Sequence, residues 1–270
     1  MDQSSIKEIL ALNVHQEARE VLAAVDKTIL HKDYALQDLE LFKAQRNRFR
    51  GLFTTNMIED FARYVNHYKP TDEAIIFIHP DHLIARIALN MGTLDAPGQC
   101  DHVAKLIIEY SAEMNGLDHF KNKRYEQKTA AELLEDWRGF ISFFDEDYKE
   151  IPFVKAINAL RKMTLSHSKS MESEERSFKA ERSTFEKVEA KAEVMPAFFE
   201  YKVHPHAELS ERIFKHRISV IGGDGIKFGF KPIQPELVHE AIQNEFMGLI
   251  DGEFADENST IKTLIGEFKP

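Results

Sequence analysis

Five residues able to ligate a metal or exchange protons fall in two short stretches: His79, Asp81 and His82, then Asp101 and His102, with the single cysteine, Cys100, beside the second pair. Imidazole and carboxylate together suit zinc, manganese or iron, so this set would support a metal-dependent hydrolase if the two turns met in space. The spacing matches no established metal motif, because His79 and His82 stand three apart around Pro80, and twelve histidines in 270 residues generate such pairs by chance. Turn-forming or surface histidines are the simpler reading. Cys100 would need a positioned base to act as a nucleophile, and His102 is badly placed for that two residues along an extended segment. Gly222-Gly223-Asp224-Gly225 lacks the Lys-Ser/Thr pair and the helix of a phosphate loop, and a strand follows it, so it reads as a hairpin. His204-Pro205-His206 reads as a bend between strands. With no His-Glu-x-x-His, nucleophile elbow or dinucleotide fingerprint, no catalytic residue and no cofactor is expected.

A different chemistry is offered by Lys43, Arg46, Arg48 and Arg50, four cations in eight residues with no acid among them and Phe49 interleaved. That combination suits phosphate contacts with base stacking, as in single-stranded nucleic-acid binding. In a strand, Arg46, Arg48 and Arg50 would instead share one face and meet solvent or carboxylates. Forty-five acids against 35 bases give a net charge of −10, which excludes nucleic-acid binding driven by global positive charge and leaves only a local patch. The acids gather at Glu132 to Glu150 and at Asp251 to Glu257, where a solvated face is the ordinary reading.

The elements that must position these residues follow from composition and period. With 43% apolar residues, 20 Phe and only 12 Gly and 9 Pro, the chain can bury a sizeable core as one large domain or two modest ones. One cysteine excludes an intramolecular disulfide and a multi-thiolate metal site within the chain. The longest apolar runs, such as Ala74 to Ile78, are far below the roughly 20 residues of a membrane helix. Met1-Asp2-Gln3-Ser4-Ser5 lacks a basic signal-peptide start. A soluble cytoplasmic protein without a membrane partner is expected.

Residues 4–25 place Ile6, Leu10, Val14 and Val21 on one stripe of an amphipathic helix that must pack on a later element or on another subunit. A strand is predicted over Arg48 to Phe53, then a helix carrying Met57, Ile58, Phe61, Tyr64 and Val65, with Thr54 or Thr55 as its cap. Ala74 to Ile78, Leu83 to Leu89 and Val103 to Tyr110 suggest a small antiparallel sheet. Thr129-Ala130-Ala131-Glu132 reads as a capping box, with Leu133, Leu134, Trp137, Phe140, Ile141 and Phe144 continuing the helix face and Trp137 as a core anchor. A helix over Phe153 to Lys162 precedes a polar arm, 166–193, which reads as extended β and carries Phe178 and Phe185. Strands follow at Phe198 to Val203, Arg212 to Ile221 and Ile226 to Phe230, then a helix from Pro235 to Gly252 and a loosely docked tail.

Five stretches, in order, resemble a known family. They are Arg48-Phe49-Arg50-Gly51-Leu52-Phe53-Thr54-Thr55; Asn90-Met91-Gly92-Thr93 with Ala96-Pro97-Gly98-Gln99-Cys100-Asp101-His102; and Glu132-Leu133-Leu134-Glu135-Asp136-Trp137. The remaining two are Ser173-Glu174 through Phe178 with Arg182-Ser183 and Glu186 to Ala190, and Met195-Pro196-Ala197 through Phe199 with Arg212-Ile213-Phe214 and Arg217-Ile218-Ser219-Val220. Together they are similar to the YfdQ-like family of phages and prophages, across about residues 46–250. The family pattern has His after Pro-Gly where this chain has Gln99, which removes one ligand that a metal site would need. The resemblance implies a phage or prophage origin, a bacterial host cytoplasm and a setting among genes of recombination and DNA processing. It brings no catalytic residues.

The expected fold is α+β. Residues 1–150 form helices with a small antiparallel sheet, and 151–270 a strand-rich region with an extended polar arm and a closing helix, the two able to share one core. The expected function is a non-enzymatic, homo-oligomeric binding protein that contacts itself through Ile6, Leu10, Val14, Val21, Phe178 and Phe185. Its partner would be single-stranded nucleic acid or a phage or host protein of DNA processing or host defence. The alternatives are the metal-dependent hydrolase and a purely structural self-assembling protein.

Overall fold

The computed structural model describes residues 44–46, 48–70, 73–163, 176–177, 194–222, 225–256 and 259–269. The predicted helix with Ile6, Leu10, Val14 and Val21, the cation Lys43, and Phe178 and Phe185 of the polar arm lie outside the described residues. The chain divides into two units, 1–49 and 50–270. The second unit holds both sheets.

Two sheets organise it. In the first, β2 (Ala74–His79), β3 (Ile84–Ala88) and β4 (His102–Ile107) pair antiparallel, as expected. Two edge strands, β1 (Gly51–Thr55) and β12 (Ile261–Ile265), run parallel to β4 and β2, giving the order β1-β4-β3-β2-β12. The tail expected to be loosely docked is therefore part of the sheet, and β1 starts at Gly51 rather than Arg48. Alternation decides the faces: Ile76, Ile78, Ala85, Ile87, Ala104 and Leu106 are buried on one side, while Phe77, Arg86 and Lys105 stand on the other. Helix α1 (Ile58–His67) covers the buried side with Ile58, Phe61, Ala62 and Val65, the i, i+3, i+4, i+7 stripe.

The start of α1 is tied down from a distance. Thr55 Oγ1 accepts from the Met57 amide, and the amides of Ile58 and Glu59 donate to the two carboxylate oxygens of Glu208 at 2.6 and 3.1 Å. A carboxylate placed there satisfies two otherwise orphan donors and complements the helix dipole. Between β3 and β4, residues 90–101 fold into a tight loop in which Gly98 donates to Met91 O at 2.6 Å and Thr93 to Ala96 O. Gly98 lies so close to the chain that a Cβ there would sit 1.9 Å from Asn90 O.

The second sheet has the order β5-β11-β10-β9-β6-β7. Its strands are β5 (Arg124–Glu126), β6 (Ile141–Phe144), β7 (Glu150–Ile151), β9 (Phe198–Val203), β10 (Arg212–Ile221) and β11 (Lys227–Ile233), with β8 (Arg176–Ser177) pairing beside β9 on β10. Helix α2 (Ala112–Gly116), capped by Ser111, leads to Phe120, whose ring lies among Phe199, Tyr201, His216 and Phe230 at centroid distances of 5.3, 5.5, 5.9 and 5.7 Å. Helices α3 (Gln127–Asp136) and α4 (Phe153–Lys162) complete that side with Ala130, Leu134, Ile157 and Leu160. The Gln127 amide nitrogen caps the end of α4, 2.7 Å from Leu160 O and 2.9 Å from Met163 O.

Helix α3 stops at Asp136. Trp137 is core-packed as expected and closes on Gly116, but Ile141 and Phe144, expected on the helix, belong to strand β6. A 3₁₀ turn, Arg138–Phe140, follows the helix, and Ile141-Ser142-Phe143-Phe144 combines β-branched and aromatic residues with alternating burial. Nor does the capping box act, since Glu126 holds the N-cap position of α3.

Helix α5 (Pro235–Glu253) touches α1, β10 and the turn Pro80–His82, turning Ile242, Phe246 and Ile250 inward. Arg212 and Glu245 tie it to β10 through a half-buried ion pair of 2.6 Å. One apolar core runs through residues 58–261. Residue 150, near which two regions were expected to divide, lies in the second sheet, and β12 joins the first from the far end of the chain. Among the described residues no helix is long and apolar enough to cross a membrane.

His216 is fully buried, stacked on Phe199 at 4.7 Å, and burial pulls its pKa down to about 4. An unfolded imidazole takes up a proton near pH 6.5, whereas the folded one resists until about 4, so stability falls as pH drops through that window. Between pH 7.5 and 5 this residue removes about 2 kcal/mol. Urea unfolding followed by Trp137 fluorescence should show that loss in wild type and its absence in His216→Phe; equal pH dependence in both would refute the assignment. Gly98→Ala should cost about 1–3 kcal/mol in the same assay, because the clash is with backbone. Gly139→Ala, whose Cβ meets nothing within 4 Å, should not.

Candidate nucleic-acid interface

The cations expected to form a basic patch divide between the two units. Arg46, Arg48 and Phe49 belong to the first and Arg50 opens the second, and none of the four is in a strand. Phe49 is exposed, and Arg48, Phe49 and Arg50 all have interaction partners.

The histidine and aspartate set is split by the first sheet. His79 ends β2 at the level of Ile84 and Ile107, whereas His102 begins β4 at its other end. Five residues of strand separate those levels, about 17 Å at 3.3 Å per residue, so the two turns do not meet. Asp81 accepts from Gln243 Nε2 at 3.2 Å. The Asn90 side chain bridges the other pair, donating to Asp101 Oδ1 at 2.8 Å and accepting from the His102 amide at 2.9 Å. His102 Nε2 lies 3.1 Å from the Tyr64 hydroxyl, and burial lowers the His102 pKa while raising that of Tyr64. These contacts organise the loop between β3 and β4. Among the described residues no group of three or more His, Cys, Asp or Glu stands where it could hold a metal ion. Cys100 is a half-buried free thiol with φ +53°.

What the topology does bring together is the solvent face of the second sheet. Burying Phe199, Tyr201, His216, Ile218, Phe228 and Phe230 on one side turns their alternates to the other. Phe144, Phe198, Arg217 and Lys231 thereby form one row across four strands, since Phe144 pairs with Phe198, Phe198 with Arg217 and Arg217 with Lys231. Lys202, Lys215, Lys227 and Arg124 flank the row, and all six cations are exposed. Glu200 lies among them, 3.4 Å from Lys215. Arg217, Lys202, Lys227 and Lys231 form no ion pair among the described residues.

An aromatic platform stands at one end of the row. The hairpin between β6 and β7 is held by Asp145, whose carboxylate accepts from the amides of Asp147 and Lys149 at 2.9 Å each. It places Tyr148 in the left-handed region at φ +61°, an uncommon conformation for an aromatic residue. The ring of Tyr148, 43% exposed at the level of the residue, lies 5.4 Å from Phe144 and 5.5 Å from Phe198, inclined 30° and 28° to them. Lys215 Nζ sits 4.7 Å from the Tyr148 centroid and Arg217 Cζ 5.9 Å from that of Phe198. The Lys215 ammonium is held above its ordinary pKa, first by the Tyr148 hydroxyl and then by Glu200, so it stays charged. Acidic Glu146, Asp147 and Glu150 surround the hairpin, while the cations extend away from it over β10, β11 and β5. Rings and cations thus share one face, with Lys215 and Arg217 against the rings and the other cations beyond them.

Sequence reading missed this face because its residues spread from Arg124 to Lys231 over five strands. The available signal was the alternation Lys215-His216-Arg217-Ile218, in which every second residue is polar and basic.

Comparison with curated proteins finds no match, and comparison with solved structures finds none. The model of a family described as an uncharacterized conserved protein (DUF2303) matches residues 2–268, and the chain belongs to that family.

Proposed function

We propose that this chain is a non-enzymatic binding protein for single-stranded nucleic acid, and that the solvent face of the second sheet is the contact surface. The observation that carries the reading is segregation of charge: a chain of net charge −10 assembles six exposed cations beside three neighbouring aromatic rings on one sheet face. Single-strand binders combine a basic track for the backbone with rings on which bases stack, and they need no base-specific hydrogen bonds. The acidic remainder of the molecule repels polyanions, which confines contact to this face.

The five stretches similar to YfdQ-like proteins support a phage or prophage setting in a bacterial cytoplasm, and with it a role beside DNA processing. Homo-oligomerisation through residues 4–25 belongs to the same proposal, because an amphipathic stripe of that length requires a partner surface. Oligomerisation would place several basic faces along one strand and raise avidity without new contacts.

Fluorescence anisotropy with a labelled oligothymidine should show binding at low salt, with log affinity falling linearly with log salt concentration. Tyr148→Ala should weaken it by about 1–3 kcal/mol, the usual worth of one stacked base. Arg217→Gln should reduce the salt slope by about 0.7, the value for one phosphate contact on a single strand. No binding at low salt, or full affinity in both variants, would remove the proposal.

A further inference from the structure

The solvent face of the first sheet carries a separate cluster. Its central row reads Thr54, Lys105, Arg86, Phe77 and Leu264, each paired with the next across adjacent strands. Arg86 and Lys105 are therefore directly opposed, an arrangement in which like charges repel. Both are half-buried, and among the described residues neither has an ion-pair partner. Their mutual repulsion is less screened there than it would be in open water.

At the end of β2 next to this row, the rings of His79 and His82 lie 4.6 Å apart, and His79 Nδ1 is buried without a hydrogen-bond partner. A buried polar atom of that kind is costly unless something completes it. The tail returns over the same region, with the Gly266 amide donating to Ile78 O at 2.8 Å. Phe268 is thereby stacked on Phe77 at 5.2 Å and 14°. Phe77, Phe268, His79, His82, Arg86 and Lys105 line a cleft of ≈ 230 Å³. One acid, Glu267, also lines it and is paired with Lys269 at 3.1 Å.

We infer that this cleft binds a phosphate dianion, free or carried as a monoester. A guanidinium presents the planar fork that matches two phosphate oxygens, and an ammonium opposite it supplies a point charge for a third. The dianion cancels the repulsion between Arg86 and Lys105. The stacked Phe77 and Phe268 rings form an apolar wall for whatever the phosphate carries. A cation is disfavoured in the same cleft by Arg86 and Lys105. The site is distinct from the nucleic-acid face and stands or falls independently of it.

Calorimetric titration of the full chain with inorganic phosphate, a pentose phosphate and a nucleoside monophosphate tests this. Saturable binding of one phosphate per chain is expected, weakened about tenfold or more in Arg86→Gln and in Lys105→Gln. It should be unchanged in Lys262→Gln, a cation on the same face paired with Glu73. Trp137 emission reports that each variant is folded. Tighter binding of the nucleoside monophosphate than of the pentose phosphate identifies a nucleotide source. Equal affinity for all three identifies free phosphate as sufficient. No saturable uptake of any of the three, or wild-type affinity in both cleft variants, overturns the inference.

Discussion

Each sheet of this protein packs one face into the core, and the two-residue period of a strand forces every alternate side chain onto the other. The rest of the structure answers to that constraint. In the first sheet Ile76, Ile78, Ala85, Ile87, Ala104 and Leu106 face α1, and in the second Phe199, Tyr201, His216 and Phe230 close around Phe120. The outward alternates are then left to water, and there the cations collect: Arg86 and Lys105 on one sheet, Arg217 and Lys231 on the other. The register that builds the core also arranges the binding faces, so a one-residue slip in β10 would bury Lys215 and Arg217 and expose His216 and Ile218.

Long-range polar contacts hold the two layers as one body. Glu208 caps α1 across 150 positions of sequence, Gln127 caps α4, and Glu245 joins α5 to Arg212 of β10. Each satisfies helix-end or charged groups that would otherwise be desolvated without partners. Helix α5, with its apolar stripe and its contacts to α1, the 80–82 turn and β10, makes the core continuous. The same economy explains Asn90, whose side chain serves Asp101 and the His102 amide at once and so fixes a loop too tight to admit a Cβ at Gly98.

Local placement of charge, rather than net charge, governs what this molecule can bind. At −10 the whole chain repels polyanions. A sheet face with six cations and the Phe144, Tyr148 and Phe198 rings nonetheless offers a short track where stacking and phosphate attraction act together. The first sheet offers a smaller version of the same chemistry, a cleft with Arg86, Lys105 and an aromatic wall.

Much of the fold was legible in the sequence because it is local. The short β-branched apolar run of Ala74 to Ile78 and the alternation of Arg212 to Ile221 specify strands, the stripe of Ile58, Phe61, Ala62 and Val65 specifies a helix, and Pro235 marks the start of α5. Trp137 was legible as a core residue, and net charge by itself excluded a globally basic binder. Where two local signals competed, as at Ile141 to Phe144, the helical stripe misled and β-propensity with tertiary pairing prevailed. Which residues form a site was not legible, because strand order and register are set by long-range pairing. Only the tertiary structure could separate His79 from His102 to opposite ends of one sheet, draw the tail into that sheet as β12, and gather Phe144, Phe198, Arg217 and Lys231 into one row.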